Sequence, residues 1–416
     1  MKNRRAALPF ILVALFIDAV GIGLVIPVLP TLIKEFTSSA ELQVYYYGWL
    51  NSLYQLMQFF FAPVLGALSD HYGRRKVLLV SLFGAALDYF FFALSPNIFW
   101  LFIARAIAGI TGANFSVAYA YVADVTEPEK RAQRFGLLGA VFGVGYILGP
   151  GIGGTLASID PRLPFYFAGG LALLNWLYGY FLLPESLEPA KRSNEPMTWR
   201  KLNPFSNIGS LRRYPIVFNL VGAVVLTTLA LNIMMYTYVL YMDRRFAWNP
   251  QEIGLAIAAL GVLLAGVQVG LLGPLVRWLG ERRTVVLGAA AGVVGYILFG
   301  LANMGWMVFP VGVVLGLASV AEPAARGLLS KEVGEDEQGK VMGSINSLTS
   351  LVGAFAPTLG AAVFAQVATV SRYSPLLGAP YFLSALLTLM GLVLIIYSFS
   401  KHKENPKVKL PLEGHD

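Results

Sequence analysis

The sequence predicts an all-α polytopic membrane protein with twelve transmembrane helices in two six-helix bundles, and three observations carry that expectation. The 416-residue chain is 56% hydrophobic and only 13% charged, with mean hydropathy +0.65, too apolar for a water-soluble domain of this length. Its apolar residues come in continuous runs of about 20, long enough as helices to cross a ~30 Å hydrocarbon core, whereas barrel strands would be about ten residues of alternating polarity. Finally, the charged turn Gly66-Ala-Leu-Ser-Asp70-His-Tyr-Gly73-Arg74-Arg75-Lys76 returns as Gly273-Pro-Leu-Val-Arg-Trp-Leu-Gly280-Glu-Arg-Arg283. Gly73 and Gly280, Gly136 and Gly343, and Pro150 and Pro357 are each about 207 residues apart, so one duplication of half the chain accounts for all three pairs.

The expected spans are 8–33, 47–69, 77–95, 98–122, 135–158, 162–184, 214–243, 251–275, 285–303, 305–328, 342–370 and 375–400. They divide the chain into an amino-terminal bundle (1–184), a polar linker (185–213), a carboxyl-terminal bundle (214–400) and a tail (401–416). Of 31 Lys and Arg residues, 24 fall in segments on one side, and the opposite loops hold only Lys34, Arg162, Arg244, Arg245 and Arg372. By the positive-inside rule the basic side is the cytoplasm, so both termini are cytoplasmic. The net charge of +8 reflects this asymmetry and attraction to anionic lipid, so no nucleic-acid partner is expected. The chain has no cysteine, which excludes disulfides and thiolate chemistry. Span one, with Pro27 and Pro30 and no small-residue cleavage pattern, reads as a retained helix rather than a signal peptide.

Taken in order, span one carries Asp18, about 15 Å from its cytoplasmic end and so near the bilayer midplane. An acid at that depth costs a few kcal/mol unless paired, protonated or wet, which makes it a functional candidate weighed against a structural hydrogen bond. Span two offers Asn51, Tyr54, Gln55 and Gln58; Tyr54 and Gln58 share a face and read equally as a substrate-facing stripe or as interhelical hydrogen bonds. In the turn from Gly66, Gly73 permits a tight reversal, Arg74 and Arg75 hold the loop inside, and Asp70 is available to a helix N-terminus opposite, as a gate requires.

Asp88 in span three and Arg105 in span four lie at matching depths, Arg105 about 10 to 12 Å in from the far side. Arg105 is thus a partner for Asp88, for Asp18, or for each in turn, suited to coupled titration or to a static ion pair. Span five breaks into Gly143, Gly145, Gly149, Pro150, Gly151, Gly153 and Gly154, a close-packed, bendable helix that serves as a hinge or seal, or as plain packing. In span seven Asn232 and Tyr236 share a face and could line a cavity, while Tyr241 reads as an interface-belt residue. Span ten holds Glu322 and Arg326, four apart on one helix, weighed between a structural or gating pair and direct proton handling.

At these residues the chain resembles the major facilitator superfamily, and within it the bacterial tetracycline efflux proteins and related drug/proton antiporters. The Gly66–Arg75 motif is specific for the superfamily, Gly145-x-x-x-Gly149-Pro150-x-x-Gly153-Gly154 is similar to the antiporter signature, and Arg105-x-x-x-Gly109 to the proton-coupling motif of the fourth helix. Leu87-Asp88-Tyr89 and Asp18-Ala-Val-Gly21-Ile-Gly23 resemble the tetracycline branch. Relatives there place a histidine in the eighth helix and an acid in the ninth, where Leu264 and Gly292 stand here; conversely, Glu322 and Arg326 replace uncharged residues.

The resemblance implies a proton-coupled secondary transporter that exports small amphipathic drugs by alternating access, with tetracycline-like compounds among them, in the bacterial inner membrane. Protons are the coupling ion, no cofactor or metal is expected, and the chain acts as a monomer in contact with membrane lipid. Asp18, Asp88, Arg105, Glu322 and Arg326 form the proton-coupling set. Gly66, Asp70, Gly73, Arg74, Arg75, Gly145, Gly149 and Pro150 form the gates, and Tyr54, Gln58, Asn232 and Tyr236 the substrate-binding set. A solute importer or lipid transporter on the same fold is the alternative. An enzyme is disfavoured: there are three histidines, none in His-Glu-x-x-His, no Gly-x-Ser-x-Gly, and no phosphate-binding Gly-x-x-x-x-Gly-Lys-Ser/Thr loop.

Overall fold

In the computed structural model the described residues, 4–112, 115–192, 215–332 and 335–404, are almost wholly helical and include no strand. The first half comprises α1 (Arg4–Lys34), α2 (Ala40–Tyr72), α3 (Arg74–Leu94), α4 (Ile98–Thr111), α5 (Phe115–Val125), α6 (Pro128–Ala157) and α7 (Leu163–Leu182). The second comprises α8 (Pro215–Phe246), α9 (Pro250–Leu301), α10 (Val308–Ala318), α11 (Ala321–Glu332), α12 (Glu335–Ala365) and α13 (Ala379–Glu404). Positions 193–213 of the expected linker and 405–416 of the expected tail lie outside the described residues.

Capping chemistry, more than hydropathy, sets the helix ends. The Ser39 hydroxyl accepts from the Leu42 amide (3.3 Å), so α2 starts seven residues before its apolar run. Asn97 caps α4 through the Phe99 amide (3.1 Å), and Asn249 forms a reciprocal capping box with Glu252 at the start of α9, with Pro250 at the first helical position. Nine stretches among the described residues are long and apolar enough to cross a membrane. One, Pro250–Leu301, is two helices joined at Gly280, whose φ of 77° and ψ of 163° interrupt the helix. Helices α2 and α7 are also long, but their Tyr, Trp, Asn and Gln side chains dilute the apolar run. The fourth and tenth expected runs are covered by α4 with α5 and by α10 with α11.

The repeat is visible in the backbone. Among the described residues the glycines with positive φ are Gly73 (101°) and Gly280 (77°), the paired turn positions. Only glycine enters this region at no steric cost, so each half reverses on the same device.

In the first half α1 packs on α6 and α7, and α3 on α4 and α7; in the second, α8 packs on α12 and α13, and α9 on α10, α11 and α13. The halves meet chiefly along α2 with α12 and α6 with α9. Both contacts lie toward the end that carries Lys34. There Gly154 abuts the Pro250 carbonyl, Gly254 abuts the Pro150 carbonyl, and the Gly48 position leaves 2.9 Å from an added β-carbon to the Pro357 carbonyl. The Ser52 hydroxyl bonds Thr358 Oγ1 (2.8 Å) and accepts from the Thr358 amide (3.1 Å), while Lys34 pairs with Asp243 at 2.7 Å.

Toward the Gly73/Gly280 end the halves diverge. Residues 136, 143, 147 and 154 form one stripe of α6, because steps of seven and four return to one helix face. On it Gly154 and Ile147 touch α9, yet a β-carbon added at Gly143 or Gly136 would meet nothing within 4 Å.

Two sequence expectations are corrected here. Tyr241 is no belt residue: it is fully buried, and its hydroxyl reaches the carbonyls at the end of α9, Phe299 at 3.1 Å and Gly300 and Ala302 at 3.3 Å. Arg245, expected in an outer loop, is the buried last turn of α8 and donates to the carbonyls of Ala302 (2.8 Å), Arg372 (2.6 Å) and Ser374 (2.8 Å). Unpaired helix-end carbonyls attract a guanidinium fork, a demand that hydropathy does not display.

Candidate functional site: a charged cavity between the halves

The space between the diverging halves is a cavity of about 800 Å³ whose wall carries five ionisable acids and bases: Asp18, Asp88, Arg105, Glu322 and Arg326. Its remaining surface is mostly aromatic and aliphatic, from Tyr47, Tyr54, Tyr146, Tyr236 and Leu264 among others. Such a lining, apolar with a few placed polar groups, suits an amphipathic small molecule.

Asp88 and Arg105 are brought together by a short hairpin. Helix α3 ends at Leu94 and α4 starts at Ile98, so counting 1.5 Å per residue from the turn puts both side chains about 10 Å deep on facing helices. The Arg105 guanidinium donates to Asp88 Oδ2 at 3.2 Å, and both residues are buried, at 6% and 3% exposure. The Phe92 ring lies 4.4 Å and the Tyr54 ring 5.3 Å from the guanidinium carbon, adding cation–π attraction. The pairing is incomplete: Asp88 Oδ1 and Arg105 Nε have no hydrogen-bond partner among the described residues. A buried pair held by one contact is costly to desolvate and only partly repaid, which favours a group that can change partner or protonation.

Asp18 is half-buried on α1 at the same cavity wall. One turn along α1, Gly21 receives the Tyr89 hydroxyl, which any β-carbon there would overlap, and Tyr89 is the neighbour of Asp88 on α3. Tyr54, Asn232 and Tyr236 line the cavity as well. Asn232 turns its amide Nδ2 to the Thr228 carbonyl of its own helix (2.8 Å). Gln58 stands apart from this wall: its Nε2 donates to the Gly112 carbonyl at 3.1 Å and lies 3.4 Å from the Tyr54 hydroxyl, tying α2 to α4. That contact satisfies a polar side chain between packed helices, a role its spacing left open beside a substrate-facing one.

On the second half, Glu322 Oε1 accepts from Arg326 Nε (3.0 Å) and lies 2.9 Å from Nη2, and Arg326 Nη1 donates to Asn346 Oδ1 (3.0 Å). Both residues sit on α11 just after the break at Ser319 and Val320 that separates it from α10.

At the Gly73 end, Arg74 is nine-tenths buried and pairs with Asp70, Asp124 (3.3 Å) and the Ser69 hydroxyl (2.6 Å), whose own hydroxyl donates to the Gly66 carbonyl (2.7 Å). Arg75 donates to the Tyr180 carbonyl at 2.6 Å. Glu185, which the sequence reading passed over, organises this turn: its Oε1 accepts from the backbone amides of Arg74 (2.9 Å), Ser186 (3.1 Å) and Leu187 (3.2 Å). It caps the start of α3, where Gly73 itself offers no side chain, and the carboxylate is also favoured by the helix dipole. The signal available was an acid directly after Pro184 at the end of span six. On the neighbouring surface turn, the Lys130 ammonium 2.6 Å from Glu127 holds its carboxyl below the usual range, by hydrogen bonding first and charge second.

Gly145, Gly149 and Gly153 form the face of α6 that meets α1; a β-carbon at Gly145 would lie 2.7 Å from the Phe16 carbonyl and one at Gly149 2.6 Å from the Val20 carbonyl. Pro150 adjoins Gly23 on one side and Gly254 on the other, at the line where the halves touch.

Comparison with known proteins agrees with this architecture. The chain matches the profile of the Major Facilitator Superfamily over residues 11–357 and again over 220–415. It is 42% identical over 369 residues to a class C tetracycline resistance protein of Escherichia coli, covering 89% of this chain and 92% of that protein. It is 37% identical over 401 residues to a class H tetracycline resistance protein of Pasteurella multocida, covering 95% and 97%. Among solved structures, a bacterial homologue of the human lysosomal transporter Spinster, in an inward-facing and occupied conformation, superposes with TM-score 0.77 at 15% identity over 97% of this chain and 98% of that one. The human organic anion transporter MFSD10 gives 0.68 at 23% identity, over 94% and 99%. Two overlapping family matches, an all-helical fold and relatives well above 30% identity lead to one statement: the chain is a polytopic membrane protein of the major facilitator superfamily.

Proposed function

We propose that this protein is a proton-coupled exporter of small amphipathic drugs, tetracycline-like compounds among them, in a bacterial inner membrane. The observation that carries the reading is the cavity itself: it holds a buried, incompletely satisfied Asp88–Arg105 pair beside Asp18. It also lies between two halves whose described contacts gather toward the Lys34 end. With the basic end assigned to the cytoplasm, as are both termini, the chain is open to the inside and sealed outside, one of two states of an alternating-access cycle. Residues 1–184 and 214–400 act as the two rocking bundles. Protons are the coupling ion: substrate arriving near Arg105 weakens its hold on Asp88 and changes which carboxylate keeps a proton. Asp70, Arg74 and Arg75 serve the inner gate, here fastened to their own half, and Gly145, Gly149 and Pro150 the hinge and outer seal.

The similarity to tetracycline resistance proteins supports export over import on the same fold. The test is Asp18→Asn: the variant is expected to fold and to lose drug uptake into inverted vesicles under an imposed pH gradient. Undiminished uptake would contradict the proposal.

A further inference from the structure

The carboxyl-terminal wall of the cavity carries a second charged pair, Glu322 and Arg326, expected from the sequence to belong to the proton-coupling set and left without a separate role by the coupling proposed at Asp18, Asp88 and Arg105. We infer that Glu322, with Arg326 as its modulating partner, is a charge-reading substrate site that selects amphipathic compounds bearing a single positive charge, whether a protonated amine or a quaternary ammonium. The inference rests on the reading of this cavity as the substrate site and deepens it by naming a substrate class.

Three observations carry it. First, the pair is placed to meet a ligand. Its side chains are 39% and 31% exposed, against 4% and 8% for Asp88 and Arg105, and both line the same cavity. Second, its bonding leaves an acceptor over. Arg326 spends Nε and Nη2 on one oxygen of Glu322, Oε1, and Nη1 on Asn346 Oδ1. The guanidinium is thereby anchored between α11 and α12, while Glu322 Oε2 is engaged in no hydrogen bond or ion pair among the described residues. An i,i+4 pair of this exposure adds only about 0.2–0.5 kcal/mol to a helix, so folding gives little reason for it. Third, among the described residues Glu322 is the one acid on the carboxyl-terminal wall of the cavity, while Asp18 and Asp88, which exchange protons, lie on the amino-terminal wall. The Glu322 carboxylate, in a partly dehydrated space, attracts a monocation. The cavity wall also includes Leu264 and Gly292, which carry no charge.

The experiment measures binding directly, so its outcome is independent of whether transport is proton-driven. Purified full-length protein is titrated with trimethylammonium-diphenylhexatriene, a monocationic amphiphile, and with its uncharged parent diphenylhexatriene, following fluorescence polarisation. Wild type is expected to bind the cationic probe more tightly than the neutral one. Glu322→Gln, which leaves Arg326 facing the cavity, is expected to weaken cation binding about tenfold, and Arg326→Gln to tighten it several-fold. The neutral probe and the melting temperature should change little in either variant. Opposite signs for the two variants are the signature of charge reading, because a merely structural pair would weaken binding in the same direction when either member is removed. Equal effects on both probes, same-sign changes, or a wild type that does not prefer the cation would overturn the inference. Loss of pH-driven transport in wild type, measured separately, would instead overturn the exporter reading.

Discussion

Asp88 and Arg105 meet at 3.2 Å because α3 and α4 are joined by only three residues, Ser95 to Asn97. Depth follows from counting 1.5 Å per residue on either side of a short turn, so two charges about equally far from Ser95 and Asn97 lie at one level of the bundle. What counting could not decide was the choice of partner, since Asp18 lies at a similar depth; the Tyr89 side chain, reaching from α3 onto Gly21 of α1, enters only in three dimensions. Glu185 was illegible for a related reason: its partner across the bundle is the backbone amide of Arg74, 111 residues away, and every residue but proline carries that donor. The Asp88–Arg105 pair makes a quantitative prediction. Arg105→Gln leaves a buried carboxylate without its counter-charge and should cost about 3 kcal/mol or more, seen as a lowered melting temperature. Adding Asp88→Asn should restore most of the stability but none of the pH-driven transport. If the double variant transported normally, the pair would be structural only.

At the scale of the helix, the glycines of α6 divide into two sets by what they touch, and substitutions should divide with them. Gly149 meets the Val20 carbonyl of its own half (2.6 Å from an added β-carbon), so Gly149→Leu should pry α1 from α6 and lower stability, measured by melting. Gly154 instead meets the Pro250 carbonyl across the halves. Gly154→Val should wedge the outer contact and move the population toward the outward-open state, leaving the melting temperature nearly unchanged. Labelling of a cysteine placed at Gly143, which faces open space here, should then slow, and unaltered labelling would refute the wedge. The ion pair Lys34–Asp243 acts at the same end, but with 44% and 39% of its side chains exposed it should contribute no more than about 1 kcal/mol, screened by salt. Lys34→Gln is therefore expected to shift the same labelling rate by only a few-fold, and less at high ionic strength. Glycine spacing was visible in the sequence; which set faced which neighbour was not, because both lie on one helix a few residues apart.

For the whole molecule, the repeat of half the chain was the most informative thing in the sequence. It correctly paired Gly73 with Gly280, which share a backbone conformation that only glycine adopts without strain. Sequence symmetry says nothing, however, about which end of the two halves is in contact, since the inward-open and outward-open arrangements bury the same repeat. That choice appears only in the structure, in the sealed contact of α2 with α12 and α6 with α9 near Lys34 and the gap near Gly136 and Gly143. The two arrangements must lie within a few kcal/mol for protonation to exchange them. The absence of native cysteine makes the exchange measurable with paired spin labels. One pair, Leu137→Cys with Val269→Cys, spans the open end, and another, Glu41→Cys with Gln366→Cys, spans the closed end. Distances between labels by electron–electron double resonance, taken in nanodiscs on either side of neutral pH, test the central claim. Protonation is expected to shift the two distributions in opposite directions, one shortening as the other lengthens, and Asp18→Asn should hold them fixed. Two distributions that stay put across the pH range, or that respond to pH equally well in the Asp18→Asn variant, would contradict the account.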